Sequence, residues 1–160
     1  MKQFVFTDLV DVENLKEMMK VNYLASGIPI GIFATQSGEM FARQGCRKIC
    51  TDFHENNEAL QKRCAESRTA IESKIKRGEH FAYKCKNGLW EIGIPVFCLD
   101  EHIATIFLGQ FFYEGELADR EFFISQASRY GLDADLYLEA LGEVPVVSRQ
   151  KIDEAIEYNK

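Results

Sequence analysis

Residues 81–112 read FAYKCKNGLWEIGIPVFCLDEHIATIFLGQFF, and this stretch decides the fold. It divides into three antiparallel strands. Asn87-Gly88 is a two-residue hairpin signal, because both central positions of such a turn need positive φ and these residues tolerate it best. A second tight turn is expected at Asp100-Glu101. If neither hairpin carries a bulge, Cys85 pairs with Trp90, Tyr83 with Ile92 and Phe81 with Ile94, and then Ile92 with Gly109 and Ile94 with Phe107. Side chains alternate along a strand. One face is therefore expected to carry Phe81, Tyr83, Cys85, Trp90, Ile92, Ile94, Phe107, Gly109 and Phe111, and the other Glu91, Gly93, Leu108, Gln110 and Phe112. Pro95 is tolerated in this register, because its missing N–H points at the place where the first strand is only beginning. The face with Cys85 is an apolar floor that the rest of the chain must cover.

The chain has 160 residues, one domain's worth and enough to bury a core. A 46% hydrophobic content with 28% charged residues is ordinary for a soluble globular protein. The net charge of −6 argues against direct nucleic-acid binding. Basic residues cluster only weakly, in Arg43, Arg47 and Lys48 and again in Lys74, Lys76 and Arg77. No apolar run approaches the roughly 20 residues that span a bilayer, and the N-terminal MKQFVFTDLVD lacks a signal-peptide core. A cytoplasmic domain is expected. Its five cysteines should then be thiols, buried or metal-bound, and not a disulfide framework.

Working outward, residues 11–26 place Val12, Leu15, Met19 and Tyr23 at helical spacing, with Asp11 as N-cap and Gly27 as stop. Residues 28–35 and 39–43 read as strand, turn, strand around Gln36-Ser37-Gly38. From Asp52 to Gly78 the pattern is helical, and Cys64 falls on its apolar stripe. Beyond the three strands, a helix from Asp119 ends at Gly131, Asp133 caps one that ends at Gly142, and Ser148 caps a last segment with Ile152 and Ile156 as an apolar pair. That segment reaches Lys160 without a stop signal, so residues 131–160 are expected to be a helical extension toward a further, output domain.

Two strands, helices, then three antiparallel strands is the order of PAS-like sensory domains, a five-stranded antiparallel sheet with helices packed across one face and further helices flanking it at both termini, in the α+β class. Particular residues sharpen the likeness. Gly27-Ile-Pro-Ile-Gly-Ile-Phe33, Cys50 followed by Phe53 and His54, Cys64, Tyr83-Lys-Cys85, Gly88-Leu89, Ile94-Pro95-Val96 and Gly109-Gln110 resemble the PocR-type sensory domain, a PAS variant, over a core of about residues 8–130. The resemblance implies a single sensory domain over residues 1–160 that takes a small hydrocarbon derivative such as a diol, alcohol or short acid. It also implies attachment to a histidine kinase, a cyclic-dinucleotide enzyme or a DNA-binding transcription regulator.

Candidate site residues follow from the floor. Tyr83, Trp90, Phe107 and Phe111 can wall a pocket, Gly109 leaves a gap among them, and Cys64 and Cys85 face it from roof and floor. Gln110 pairs with Glu91 on the opposite face in this register, whereas a bulge at Gly93 or Pro95 would swing it inward, where its amide suits a diol's hydroxyls. Cys46, Cys50 and His54 stand four residues apart, a ladder on one side of a helix. With Cys64 and Cys85 they raise a second reading, a zinc, iron–sulfur or redox sensor. The resemblance favours Cys50, Cys64 and Cys85 as its ligand set over Cys46 and His54. The spacing matches no standard finger or ferredoxin pattern, and buried cysteines often serve only as small hydrophobes. A third reading is a ligand-free homodimerisation module contacting through an exposed sheet face with Ile106, Leu108 and Phe112. No phosphate loop, paired-carboxylate motif or oriented Cys-His nucleophile is present, so no enzyme is expected.

Overall fold

A computed structural model describes residues 5–160. A short turn of helix, α1 (Phe6–Leu9), leads into α2 (Val12–Ser26). Asp11 caps α2 by accepting hydrogen bonds from the Glu13 and Asn14 amides, and the helix stops at Gly27. Strands β1 (Ile30–Ala34) and β2 (Met40–Gln44) pair as a hairpin. The chain then crosses to strands β3 (Phe81–Lys84), β4 (Trp90–Cys98) and β5 (Glu101–Tyr113). The strand order is β2-β1-β5-β4-β3, antiparallel throughout, which gives the α+β architecture expected from the order of elements. A sixth strand, β6 (Val146–Val147), adds in parallel to the end of β5, where Phe112 faces Val146.

The segment between the hairpin and β3 differs from the single helical stretch expected over 52–78. A π-helix (Ile49–His54) is followed by a turn and then α3 (Glu58–Glu72), whose start Asn57 caps through the Leu60 amide. Asn57 also donates to the carbonyl oxygen of Tyr130, so the break between the two helices is pinned to a segment 73 residues further along the chain.

Helices α4 (Arg120–Tyr130), α5 (Ala134–Gly142) and α6 (Arg149–Asn159) begin at Asp119, Asp133 and Ser148, each of which accepts a backbone N–H as an N-cap should. The sheet carries an apolar core on each face. Ile30, Ile32, Ile92, Ile94 and Leu108 pack with Met19 of α2 and Ile152 and Ile156 of α6. On the other face Ile71 and Ile75 of the α3 region, Phe123 of α4 and Tyr137 of α5 pack with Tyr83, Cys85 and Phe107.

The register corrects the bulge-free pairing. Lys84, not Cys85, lies opposite Trp90, and Tyr83 lies opposite Glu91. The Cys85 amide donates to the Leu89 carbonyl oxygen and the Cys85 carbonyl oxygen accepts from the Gly88 amide, so the hairpin has a three-residue loop, Lys86-Asn87-Gly88, with positive φ at Gly88 alone. A Cβ on Gly88 would stand 2.7 Å from the Phe122 ring, which shows how closely α4 sits on this turn. The second turn falls at Leu99-Asp100, with Cys98 opposite Glu101, one residue earlier than expected. Consequently Trp90, Ile92 and Ile94 leave the face of Tyr83 and Cys85, and Glu91 and Gly93 join it. Two of the three residues expected on an exposed sheet face for a dimer contact are covered, and Ile106 is half-buried against the core that holds Leu108. Leu108 is 1% and Phe112 4% exposed, the first under the terminal helices and the second under α4.

Candidate functional site

Between the sheet and its roof of π-helix and α3 lies a cavity of about 800 Å³, inside the range of roughly 300–1,000 Å³ typical of small-molecule sites. Gly31, Phe33, Glu91, Phe107, Gly109 and Gln110 form its floor, and Cys50, His54, Cys64, Ala65 and Arg68 its roof. Met40 and Arg43 of β2 and Glu55 close one side, where Arg43 and Glu55 form an ion pair. The Arg68 guanidinium lies over the Phe33 ring, 4.3 Å from its centroid.

Gln110 reaches the cavity through a bulge. Trp90 pairs with Phe111 and Glu91 with Gly109, so Gln110 is the extra residue of β5. The register shift lies opposite the Trp90–Glu91 step, not at Gly93 or Pro95, and it brings Gln110 and Glu91 to the same side. There Gln110 Nε2 stands 3.5 Å from Glu91 Oε1. Glu91 Oε2 accepts the Tyr83 hydroxyl at 2.5 Å. Burial pushes the Glu91 carboxyl above its usual range, against the opposing pull of these two donors and of the Arg68 charge.

The expected pocket residues separate into three groups. Phe107, Gly109, Gln110, Cys64 and Cys85 border the cavity. Tyr83 stands behind Glu91 as its hydrogen-bond donor. Trp90 and Phe111 are not on this face: Trp90 donates to Glu116 and packs on Tyr113, and Phe111 is buried in the opposite core. The sequence reading named Glu91 only as Gln110's partner on the opposite face and missed it, with Phe33 and Arg68, as a cavity residue. The signal for Glu91 was available, since it is the only charged residue in the nine of β4.

Cys46, Cys50, Cys64, Cys85 and His54 all border the same cavity. Among the described residues, however, no three His, Cys, Asp or Glu side chains are grouped so as to hold a metal ion. His54 is instead spent on a buried network. Gln126 Nε2 donates to the Tyr137 hydroxyl at 2.7 Å, which frees the hydroxyl hydrogen for His54 Nε2, also 2.7 Å away. The remaining ring N–H, on Nδ1, then faces Cys50 Sγ at 3.7 Å. Asn87 extends this network, donating to the Leu60 carbonyl and to Cys64 Sγ and accepting from Arg63 Nε. Gln126 also donates to the Asn87 carbonyl. One set of hydrogen bonds thus ties the π-helix, α3, the β3–β4 turn, α4 and α5 together beside the cavity.

Burial pushes the Cys64 thiol up to about 11 and Cys85 up to about 12, and holds Cys50 well above its ordinary value. These sulfurs are neutral and weakly nucleophilic at physiological pH, because the thiolate is the reactive form. Alkylation of Cys64 by iodoacetamide near pH 8 should therefore run on the order of a hundred-fold slower in the native protein than in urea. Mass spectrometry of timed quenches checks this, and equal native and denatured rates would contradict it.

The family model described as the sensory domain found in PocR matches residues 8–160, nearly the whole chain. No curated protein matches this chain.

Proposed function

This chain belongs to the PocR sensory-domain family, and from that premise we propose that its cavity is a signal-input site for a small, weakly polar molecule such as a diol, alcohol or short acid. One observation carries this reading: a cavity of about 800 Å³ lies between the helical roof and the sheet, with apolar patches from Phe33, Met40, Ala65 and Phe107 and polar groups on floor, side and roof. Occupancy would be felt through the roof. A ligand shifts an equilibrium only by binding one arrangement more tightly than another. Here the roof has two anchors that an occupant can bias, the Arg43–Glu55 ion pair and the His54–Tyr137–Gln126 chain. The floor strands β4 and β5 carry α6 on their reverse side, which gives a route from the cavity to the C-terminal helix. Among the described residues no helix is long and apolar enough to cross a membrane, and the net charge of −6 supports a role without direct nucleic-acid contact.

A thermal-shift series of short diols, alcohols and carboxylates tests the reading. At least one member should raise Tm by several degrees, since ligand at about a hundred times its Kd adds roughly 2.7 kcal/mol. Ala65→Trp, which fills the cavity from α3, should abolish that response while the variant remains folded. An unchanged response in Ala65→Trp would place the ligand elsewhere.

A further inference from the structure

The cavity floor holds a pair of acceptors that the fold leaves incomplete. Glu91 borders the cavity and is partly accessible, yet among the described residues it has no Lys, Arg or His within ion-pair distance. Its Oε2 is satisfied by Tyr83, while Oε1 receives only the long 3.5 Å contact from Gln110. Beside it, the Gln110 carbonyl oxygen is buried with no hydrogen-bond partner. A buried acceptor left unpaired costs about 1–3 kcal/mol, and folded proteins rarely leave one so. The two groups meet only because the bulge in β5 turns Gln110 toward the cavity. The Gln110 side-chain oxygen lacks a donor altogether, and Glu91 Oε1 has only that long one.

We infer that Glu91 and Gln110 form the head-group subsite of this cavity, one that selects ligands whose polar end donates hydrogen bonds, a hydroxyl or a protonated amine, over ligands that end in a carboxylate. The inference rests on the cavity being the ligand site and narrows its chemistry. A hydroxyl or ammonium group at this position donates to the Gln110 oxygen and to Glu91 Oε1 together, whereas a carboxylate would set its oxygens against two acceptors. Of the cations that line the cavity, Arg43 is paired with Glu55 and Lys62 is on the surface. Arg68 lies over the Phe33 ring, a contact that leaves its charge and N–H groups in place, so the selection is made by the Glu91–Gln110 pair and not by a lack of cations. Phe107, Met40 and Ala65 supply apolar wall for the ligand's tail.

Hexanol, hexylamine and hexanoate share one tail and differ in the head, so their affinities for the intact chain, by calorimetry or protein NMR, isolate this subsite. Hexanol and hexylamine should bind at least about tenfold more tightly than hexanoate, the effect of one well-placed hydrogen bond. Gln110→Leu should erase that preference by weakening the two donor-headed probes. Glu91→Gln separates the two heads, because it should weaken hexylamine by about tenfold or more, through loss of its charged partner, and hexanol much less. Hexanoate binding as tightly as hexanol in the wild-type protein, or an undiminished preference in folded Gln110→Leu, would overturn the inference. If that binding is nevertheless lost in Ala65→Trp, the cavity remains the ligand site and only the head-group assignment falls. If none of the three probes binds, both fall. The wild-type comparison needs no variant, so misfolding of Gln110→Leu cannot shield the inference.

Discussion

Gly109→Val should destabilise the domain by roughly 2–6 kcal/mol, enough to leave a marginally stable protein largely unfolded. Two costs add. The backbone at Gly109 has φ +143, a region that costs a residue with a side chain about 1–3 kcal/mol. A Cβ there would also stand 2.7 Å from the Trp90 carbonyl oxygen and 3.1 Å from the Glu91 Cα. Overpacking adds about 1–3 kcal/mol, and backbone atoms of a paired strand cannot rotate aside as a side chain can, so the upper half of the range is expected. Urea titration followed by circular dichroism reads the change. A loss below about 1 kcal/mol would mean that the bulge which turns Gln110 to the cavity is not held as described.

Acidification should cost the wild-type protein about 3 kcal/mol that a His54→Gln variant does not lose. His54 is completely buried. Desolvation, with a smaller contribution from the Arg63 charge, lowers its pKa to about 4 from an ordinary value near 6.5. Because the folded value is the lower, the unfolded chain binds the proton first as pH falls. The stabilisation is complete above about pH 6.5 and drains away as pH drops toward about 4, by about 1.4 kcal/mol for each pH unit between those two values. Glu91 works in the opposite sense, since a carboxyl raised by burial takes up its proton more readily in the fold. It is present in both proteins and cancels in the difference. Parallel stability curves for the two proteins between about pH 4 and 6.5 would show that the His54–Tyr137 contact does not hold the imidazole neutral.

The helix boundaries were largely legible in the sequence because they are local. Asp11, Asp133 and Ser148 cap the helices they were expected to cap, and Asp119, expected to begin one, caps it, each through its own side chain and an amide two or three residues on. The register was not legible, because a tertiary demand overrides a local preference at Asn87. Asn-Gly favours a two-residue turn with positive φ at both positions. Here the Asn87 side chain is a buried strut to Leu60, Cys64 and Arg63, so only Gly88 takes positive φ and the loop lengthens by one. That single residue exchanges Trp90 for Glu91 on the cavity floor. It turns an apolar pocket with an aromatic corner into a polar-floored one, which changes the chemistry of the molecule that fits. The same lesson holds at Gln110, whose inward turn depends on a bulge that no short-range pattern announces.

The crystal structure of the protein with hexanol bears most directly on the central claim. Density for the alcohol should lie under α3, with its oxygen within hydrogen-bond distance of Glu91 and Gln110 and its tail along Phe107. Hexanol lodged instead in the surface groove between α2 and α6, beside Val21 and Tyr158, with the space under α3 filled by its own side chains, would contradict it.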